Sequence, residues 1–269
     1  MTRLDKLYLG TNTKMYKTIE QTRTFVTSLE RLTRDLPIEE VVLFVIPSFP
    51  SVGPAKECVP SGRIRIGAQN MGWAEEGPLS GEVSAPMLKE LGADLVMIGH
   101  SERRHELRET DRMENGKVLS ALQNGITPLL CIGETAEQKA YGISDECLSI
   151  QLKIGLCHVS SYEAEKIWIA YEPVWAIGAE GTPAEPAYIR QRHRVIRNTL
   201  VDLFGETRGQ EIPILYGGSV NIKNAGEIIR EENVDGLFIG RSAWDPDSFN
   251  RIIRDVLPIW REKRKAEFI

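Results

Sequence analysis

Three side chains of the sequence have the chemistry needed to move a proton next to a carbonyl group. Glu172 follows a short apolar run, and a carboxylate in a partly dry pocket can act as a general base. His100 ends another run and precedes a helical pattern. Because a helix N-terminus disfavours positive charge, we expect a neutral imidazole that can polarise a carbonyl. Lys14 follows the first run and could stabilise a developing oxyanion. Each residue also has an ordinary alternative: a surface glutamate, a structural histidine and an exposed lysine.

Glycine-containing turns follow two later apolar runs and are suited to bind an anion. In Gly217-Gly218-Ser219 and at Gly240, the small residues let backbone N–H groups approach a phosphate. The segment Pro173–Gly178 comes directly after Glu172, with a rigid proline at its start, an apolar tip and a glycine at its end. This composition is typical of a lid that excludes water, although an ordinary loop is the alternative.

These residues follow a series of short apolar runs that indicate buried parallel strands. Most runs are continuous rather than alternating, as expected when both faces are covered. The eight runs are Lys6–Gly10, Val41–Ile46, Arg63–Gly67, Asp94–Gly99, Thr127–Gly133, Ile167–Tyr171, Ile212–Tyr216 and Gly236–Gly240. Helical patterns lie between them, over Thr18–Leu32, Asp111–Leu122, Tyr188–Leu203, Ile222–Ile229 and Asp247–Trp260. Strands that alternate with helices predict parallel pairing through helical crossovers.

Eight strand–helix units in about 250 residues predict a closed (β/α)8 barrel. No linker rich in Gly, Ser or Pro divides the chain, so residues 1–269 are interpreted as one domain. Active sites of such barrels lie at the C-terminal ends of the strands, and phosphate sites often follow the last two. We therefore expect Glu172 to take a proton, His100 and Lys14 to stabilise an enediolate, and the glycine turns to hold a phosphate. This chemistry requires no metal and no organic cofactor.

Composition excludes several other classes of function. The 269 residues are 42% hydrophobic and 26% charged, which is ordinary for a globular protein. A net charge of −5 without basic blocks argues against nucleic-acid or membrane-surface binding. The longest apolar stretch, Val41–Ile46, is too short to span a bilayer. The first residues lack the apolar region of a secretory signal, so we expect a cytoplasmic protein.

The cysteines and the remaining histidines are interpreted as structural. No cysteine pair has CxxC spacing, and no histidine lies at metal-ligand spacing from a cysteine, so we expect free thiols in a reducing compartment and no metal site. The residues concerned are Cys58, Cys131, Cys147, Cys157, His105, His158 and His193.

Long segments of the chain resemble those of the triosephosphate isomerases. They occur in the order typical of that family and, with the segments around Asn12 and Gly240, span nearly the whole chain. The segments are Gly99–His105, Cys131–Glu134, Ala170–Gly178 and Tyr216–Val220. The resemblance implies a TIM barrel, isomerase chemistry on a small phosphorylated ketose or aldose, no cofactor, and a homodimer.

The resemblance also implies a role for individual residues. Asn12 and Lys14 match a substrate-binding pair, His100 matches the electrophile, Glu172 the base, and Glu102 a supporting acidic residue.

Further positions match the lid, the phosphate site and the dimer contact of the family. Gly178, Ser219 and Gly240 match phosphate-binding backbone positions, and Ile177 lies in the lid. Leu79-Ser80-Gly81-Glu82 resembles the loop that docks into the partner subunit, so a monomer would lose shape around Lys14.

Five departures from the family pattern bear on the substrate. The family usually has Trp at position 13, Leu at 238, Gly at 241 and Thr at 80, and a different second hinge of the lid. Here these positions are Thr13, Phe238, Arg241, Ser80 and Ala179-Glu180-Gly181. Phe238 is expected to pack against the base. The backbone N–H of Arg241 can still bind phosphate while its side chain adds a cation; alternatively, that side chain points to solvent or pairs with Asp245.

Two substrates and two other functions stay open at this level. The first substrate pair is dihydroxyacetone phosphate and D-glyceraldehyde 3-phosphate. The second is L-erythrulose 1-phosphate and D-erythrulose 4-phosphate, which divergent members of the family use in sugar-alcohol catabolism. A non-catalytic phosphosugar-binding barrel would not need all three chemical residues. An epimerase or aldolase would need a further acid/base group, a metal or a Schiff-base lysine, and none is apparent.

Overall fold

The computed structural model describes residues 5–178 and 181–267, in which eight parallel strands form one closed barrel. The strands are β1 (Leu7–Asn12), β2 (Val41–Ile46), β3 (Ile64–Ala68), β4 (Leu95–Ile98), β5 (Thr127–Ile132), β6 (Trp168–Tyr171), β7 (Ile214–Tyr216) and β8 (Gly236–Ile239). They pair in chain order, and β1 pairs with β8 from Tyr8 opposite Gly236 to Thr11 opposite Ile239. The predicted closed (β/α)8 barrel is confirmed.

Helices connect the successive strands. In the described residues they are α1 (Ile19–Thr33), α2 (Val52–Glu57), α3 (Ala85–Glu90), α4 (Ser101–His105), α5 (Asp111–Gln123), α6 (Ala136–Ala140), α7 (Ser144–Gly155), α8 (Pro186–Phe204), α9 (Glu206–Glu211), α10 (Ala225–Arg230) and α11 (Pro246–Glu267). Thr18 and Gln21 form a capping box at the start of α1, which explains why this helix begins where its sequence pattern begins. No helix in this part of the chain is long and apolar enough to cross a membrane.

Side chains of each strand alternate between the barrel interior and the surrounding helices. In β2, Phe44 points into the barrel with Tyr8 and Trp168, whereas Val45 points outward and packs between the barrel and the surrounding helices. Gly10 lies opposite the ring of Phe44, and a Cβ at Gly10 would overlap that ring. The interior therefore holds several large rings among aliphatic side chains, and the ring of Phe44 fits because residue 10 has no side chain.

Several of the predicted boundaries were wrong; the last helix, for example, continues to Glu267 instead of ending at Trp260. The first strand does not end at Gly10 but continues to Asn12, which pairs with Ile46 of β2. Asn12 is therefore the last strand residue rather than a loop residue. The helix predicted from Ile222 begins instead at Ala225, because a turn closed by the Asn221 carbonyl and the Asn224 side chain occupies the residues before it.

Helix α7 was not predicted at all. Ile150 and Ile154 lie four residues apart on its surface and are 53% and 41% exposed, while Leu148 and Leu152 are buried. Apolar residues on both faces hide the helical stripe on which the prediction depends.

Candidate active site

One cavity of about 950 Å³ opens at the C-terminal ends of the strands. Every residue that the sequence predicted for the site lines it. These residues are Asn12, Lys14, His100, Glu102, Glu172, Ile177, Gly178, Ser219, Phe238, Gly240 and Arg241. Parallel strands bring these positions to one end of the barrel although they are spread over more than two hundred residues of chain.

Glu172 follows β6 directly and lies at the buried end of the cavity. Its backbone N–H donates to the Ile132 carbonyl at 2.8 Å, and the residue is only 4% exposed. Its Oε2 has no hydrogen-bond partner among the described residues. Burial raises the pKa of the Glu172 carboxyl, while His100, the Cys131 thiol and Lys14 act in the opposite direction. The side chain fits because residue 217 is glycine: a Cβ there would lie 2.7 Å from Glu172 Cγ.

His100 caps helix α4 with its own ring. The backbone N–H of Glu102 donates to His100 Nδ1 at 3.3 Å, so Nδ1 serves as an acceptor and the proton of the neutral ring lies on Nε2. Nε2 is 3.6 Å from Glu172 Oε1, and His100 is 3% exposed. The ring nitrogen Nε2 thus lies beside Oε1 of a carboxylate whose other oxygen, Oε2, has no partner in the described residues, as acid–base chemistry on adjacent carbons requires.

Lys14 lies at the side of the same cavity in a left-handed backbone conformation, with φ of 51°. Its N–H donates to Asn12 Oδ1 at 2.8 Å, and Gln69 Nε2 donates to its carbonyl at 2.7 Å. Its Nζ pairs with Glu102 Oε1 at 2.5 Å. Glu102, predicted as a supporting residue, therefore contacts both Lys14 and His100.

The predicted phosphate-binding turns meet on the cavity wall. In the described parts of the chain, the backbone N–H groups of Gly178, Ser219 and Gly240 donate to no protein acceptor. The carbonyls point the other way: that of Ser219 accepts from Asn224 Nδ2 at 2.8 Å, and that of Gly240 accepts from the N–H of Ala243 at 2.9 Å. Free N–H groups of this kind are the donors that bind a phosphate.

Arg241 contributes a cation at the cavity rim. Its side chain is exposed and forms no hydrogen bond or ion pair with residues 5–178 or 181–267. The alternative pairing with Asp245 is not observed; Asp245 accepts from the Ser248 N–H at 2.8 Å. Phe238 is 4% exposed, and its ring stacks on Phe44 at 5.7 Å while it also lines the cavity beside the predicted base.

The segment after Glu172 begins with a short 3-10 turn, Val174–Ala176, that is tied to Glu134. The Val174 N–H donates to the Glu134 carbonyl at 3.0 Å, and Trp175 Nε1 donates to Glu134 Oε1 at 2.8 Å. Ile177 is half-buried over the cavity, and Gly178 has φ of 89°. Ala179 and Glu180 of the predicted second hinge lie outside the described residues.

Sequence reasoning did not assign a role to three residues that hold the site. Glu134 accepts a hydrogen bond from the indole N–H of Trp175, and Gln69 donates one to the Lys14 carbonyl. Trp244 donates its indole N–H to the Asn12 carbonyl at 2.9 Å. Glu134 and Gln69 both follow strands, so their positions were a usable signal. Trp244 is 232 residues from Asn12 in the chain, and no local sequence pattern predicts the hydrogen bond between them.

The described residues contain no group of three or more His, Cys, Asp and Glu side chains placed to hold a metal ion. The four cysteines are free thiols. The chemistry available at the cavity is therefore that of a carboxylate, an imidazole, an ammonium group and a set of backbone N–H donors.

The chain is similar to a known protein family and to two named kinds of relative. The model of the family described as triosephosphate isomerase matches residues 7–256. An L-erythrulose-1-phosphate isomerase of Mesorhizobium japonicum is 43% identical over 250 residues, which cover 91% of this chain and 95% of the relative. One of Rhizobium etli is 42% identical over 253 residues, or 93% and 92% of the two chains.

A relative with the other name is nearly as similar. A triosephosphate isomerase of Carboxydothermus hydrogenoformans is 39% identical over 249 residues, which cover 93% of this chain and 98% of the relative. The resemblance drawn from the sequence motifs is confirmed: the chain is an isomerase and belongs to the triosephosphate isomerase family.

Proposed function

We propose that the chain moves the carbonyl group of a short phosphorylated ketose by one carbon through an enediolate. The observation that carries this proposal is the pair formed by His100 Nε2 and Glu172 Oε1, 3.6 Å apart at the buried end of the cavity. A base and a neutral N–H donor at this separation can serve adjacent carbon and oxygen atoms of one substrate. No step needs a cofactor.

Glu172 is the base in this proposal. Its carboxylate is buried and has one oxygen without a protein partner, so a substrate C–H can approach it without first displacing a hydrogen bond. The raised pKa of Glu172 makes it a stronger base than an exposed glutamate. It takes the proton from the carbon next to the carbonyl and returns it to the neighbouring carbon.

His100 and Lys14 stabilise the enediolate. The Nε2–H of His100 donates to the substrate oxygen and can pass the proton between the two enediolate oxygens. Lys14 places a positive charge in the same cavity, which favours the negative charge on the enediolate oxygen over the uncharged carbonyl oxygen of the substrate. Asn12 orients the Lys14 turn, and Glu102 holds the ammonium group before substrate binds.

The phosphate is held by the backbone N–H groups of Gly178, Ser219 and Gly240, with the Arg241 cation beside them. Three unused donors and one unpaired cation on the same cavity wall support this assignment. Ile177 covers the reacting end and limits its contact with water. Phe238 forms part of the apolar wall that keeps the carboxylate buried.

The first candidate reaction is the interconversion of dihydroxyacetone phosphate and D-glyceraldehyde 3-phosphate, as in glycolysis and gluconeogenesis. The proton then moves between the terminal and the central carbon. Membership of the triosephosphate isomerase family and the relative from Carboxydothermus hydrogenoformans support this substrate.

The second candidate is the interconversion of L-erythrulose 1-phosphate and D-erythrulose 4-phosphate. The extra hydroxymethyl group sits on the carbon that loses the proton, so the enediolate chemistry is unchanged. The relatives of that name at 43% and 42% identity support it, but not above the triose reaction, because a triosephosphate isomerase is nearly as similar at 39% identity.

A paired steady-state assay of the purified protein on both ketose phosphates tests the proposal. High kcat/KM on the triose with weak turnover of the tetrulose would assign the first reaction, and the reverse would assign the second. Deuterium exchange into the substrate from D2O reports proton abstraction directly. If neither substrate exchanges, the proposal that the chain isomerises these two ketose phosphates is wrong.

We also propose that the chain acts as a cytoplasmic homodimer in which residues 1–269 form one domain. Met15 and Tyr16, next to Lys14, are 94% and 67% exposed, so the Lys14 turn carries an apolar surface that a partner subunit could cover. The loop Leu79-Ser80-Gly81-Glu82 is the segment that would reach the partner. Sedimentation equilibrium tests the dimer: a monomer mass at micromolar concentration would contradict it.

A further inference from the structure

The backbone turn at Lys14 has to be held in place by its surroundings. Its φ of 51° lies in the left-handed region, which a residue with a Cβ adopts only when neighbouring contacts enforce it. Two of these contacts come from the side chains of Asn12 and Gln69. Because the direction of the Lys14 side chain follows from this turn, whatever holds the turn also aims the ammonium group.

Trp244, which lies near the opposite end of the chain, provides a third contact that keeps the Lys14 turn in place. Its indole N–H donates to the Asn12 carbonyl at 2.9 Å, and its ring lies 4.7 Å from the ring of Tyr16. Trp244 therefore bonds to the backbone two residues before Lys14 and packs against the side chain two residues after it.

The same tryptophan belongs to the loop that follows β8. A 3-10 turn, Arg241–Ala243, leads into it, and the Trp244 N–H donates to the Arg241 carbonyl at 3.1 Å. Gly240 and Arg241 at the start of this turn carry the proposed phosphate contacts. One short segment thus joins the phosphate end of the cavity to the turn that presents Lys14.

We propose that Trp244 is a positioning residue for the reaction: its indole N–H fixes the Asn12 peptide and thereby the placement of the Lys14 ammonium group. This inference rests on the proposed function, in which Lys14 stabilises the enediolate. If Trp244 acted only by packing against its neighbours, its N–H would not matter, and another aromatic residue in its place would preserve that role.

The decisive variant is Trp244→Phe, which keeps an aromatic ring beside Tyr16 but removes the donor. The loss of one neutral hydrogen bond and a small displacement of a charged group lowers kcat/KM by roughly 5- to 50-fold, mainly through kcat. Trp244→Tyr, which also lacks the indole N–H, gives the same test if phenylalanine is not accommodated. Trp260→Phe, a buried tryptophan of α11, is the matched control and leaves kcat/KM within twofold.

A double-mutant cycle with Lys14→Ala separates positioning from general stability. If Trp244 acts through Lys14, Trp244→Phe changes the residual kcat/KM of Lys14→Ala by less than twofold. An equal loss in both backgrounds, or parent-like activity of Trp244→Phe and Trp244→Tyr, would overturn the positioning role alone. Parent-like activity of Lys14→Ala would overturn the proposed role of Lys14 and this inference with it.

Discussion

Two buried glutamates follow neighbouring strands of the barrel and have opposite surroundings. Glu134 comes after β5 and is fully buried; it accepts hydrogen bonds from Tyr171, Trp175 and Tyr188 at distances of 2.8 to 3.2 Å. Glu172 comes after β6 and is almost as buried, yet its Oε2 has no partner in the described residues. The two carboxylates share residue type and burial and both follow a strand, but they differ in how their lone pairs are used.

The difference separates a structural carboxylate from a reactive one. A buried charge whose oxygens are saturated with donors is stable and unavailable to a substrate. A buried charge with an unused oxygen is costly to keep, and the free oxygen is available for a proton. Replacing Glu134 should therefore mainly lower stability, whereas replacing Glu172 should mainly lower catalysis.

The largest expected effect comes from Glu172→Asp, which shortens the base by one methylene. A displacement of about 1 Å of a catalytic group lowers kcat by about 100-fold or more. The melting temperature should change little, because no protein hydrogen bond to Oε2 is lost. Turnover by stopped-flow or coupled assay, with calorimetry on the same sample, checks both. A kcat within threefold of the parent would refute Glu172 as the base.

Glu134→Leu should show the opposite pattern. It leaves the hydroxyl of Tyr171 and the indole of Trp175 without an acceptor, at about 1–3 kcal/mol for each unpaired group, whereas the Tyr188 hydroxyl keeps its contact with Ser144 Oγ at 3.0 Å. The melting temperature should fall by roughly 10 °C, given about 2–4 °C per kcal/mol for a chain near this size. Differential scanning calorimetry measures this, and a shift below 2 °C would show that the cluster is not structural.

The pH dependence of kcat/KM should report the raised pKa of Glu172. Glu172 must be ionised to accept a proton, so activity is present above its pKa and falls tenfold per pH unit below it. Because burial raises that pKa, the acid limb should lie above the ordinary glutamate value of about 4.3. The substrate phosphate titrates at about 6, and its ionisation would also change kcat/KM with pH. The affinity for inorganic phosphate, measured over the same pH range, corrects for this contribution. A corrected limb at or below 4.3 would contradict the assignment.

The smallest effect expected is that of Tyr188→Phe, which removes one of the donors to Glu134. Its hydroxyl donates to Glu134 Oε1 at 2.8 Å, and one such hydrogen bond contributes about 1–2 kcal/mol. The melting temperature should fall by about 2–6 °C, and kcat should stay within twofold. Tyr162→Phe, at a residue that is 69% exposed, is the control and should change neither. A larger kcat loss than for Glu134→Leu would mean that Tyr188 contacts the reacting groups.

Much of the architecture follows from residue types and their order. Eight continuous apolar runs separated by helical patterns are enough to predict the barrel, because parallel strands buried on both faces need such runs and helical crossovers. The prediction was weakest where local pattern is ambiguous. Helix α7 carries apolar residues on both faces, and the end of β1 at Asn12 looks polar although its backbone is fully paired.

For the candidate site, too, residue types could be predicted from the sequence and the geometry could not. The types of Lys14, His100 and Glu172, and their places after strands, can be read from the sequence and are enough to name the chemistry. Their distances cannot be read, since His100 and Glu172 are 72 residues apart in the chain and 3.6 Å apart in space. The tautomer of His100 also depends on the Glu102 N–H that bonds to Nδ1, which is a matter of geometry.

The amino-acid sequence is sufficient to predict a closed barrel with an acid–base site and phosphate-binding turns at one end, because strand order and residue type are local properties. Which buried glutamate is saturated and which is free, and which tryptophan holds the Lys14 turn, depends on contacts between distant segments. Those contacts exist only after β1 and β8 meet and close the barrel, when Trp244 reaches Asn12 and the donors around Glu134 converge.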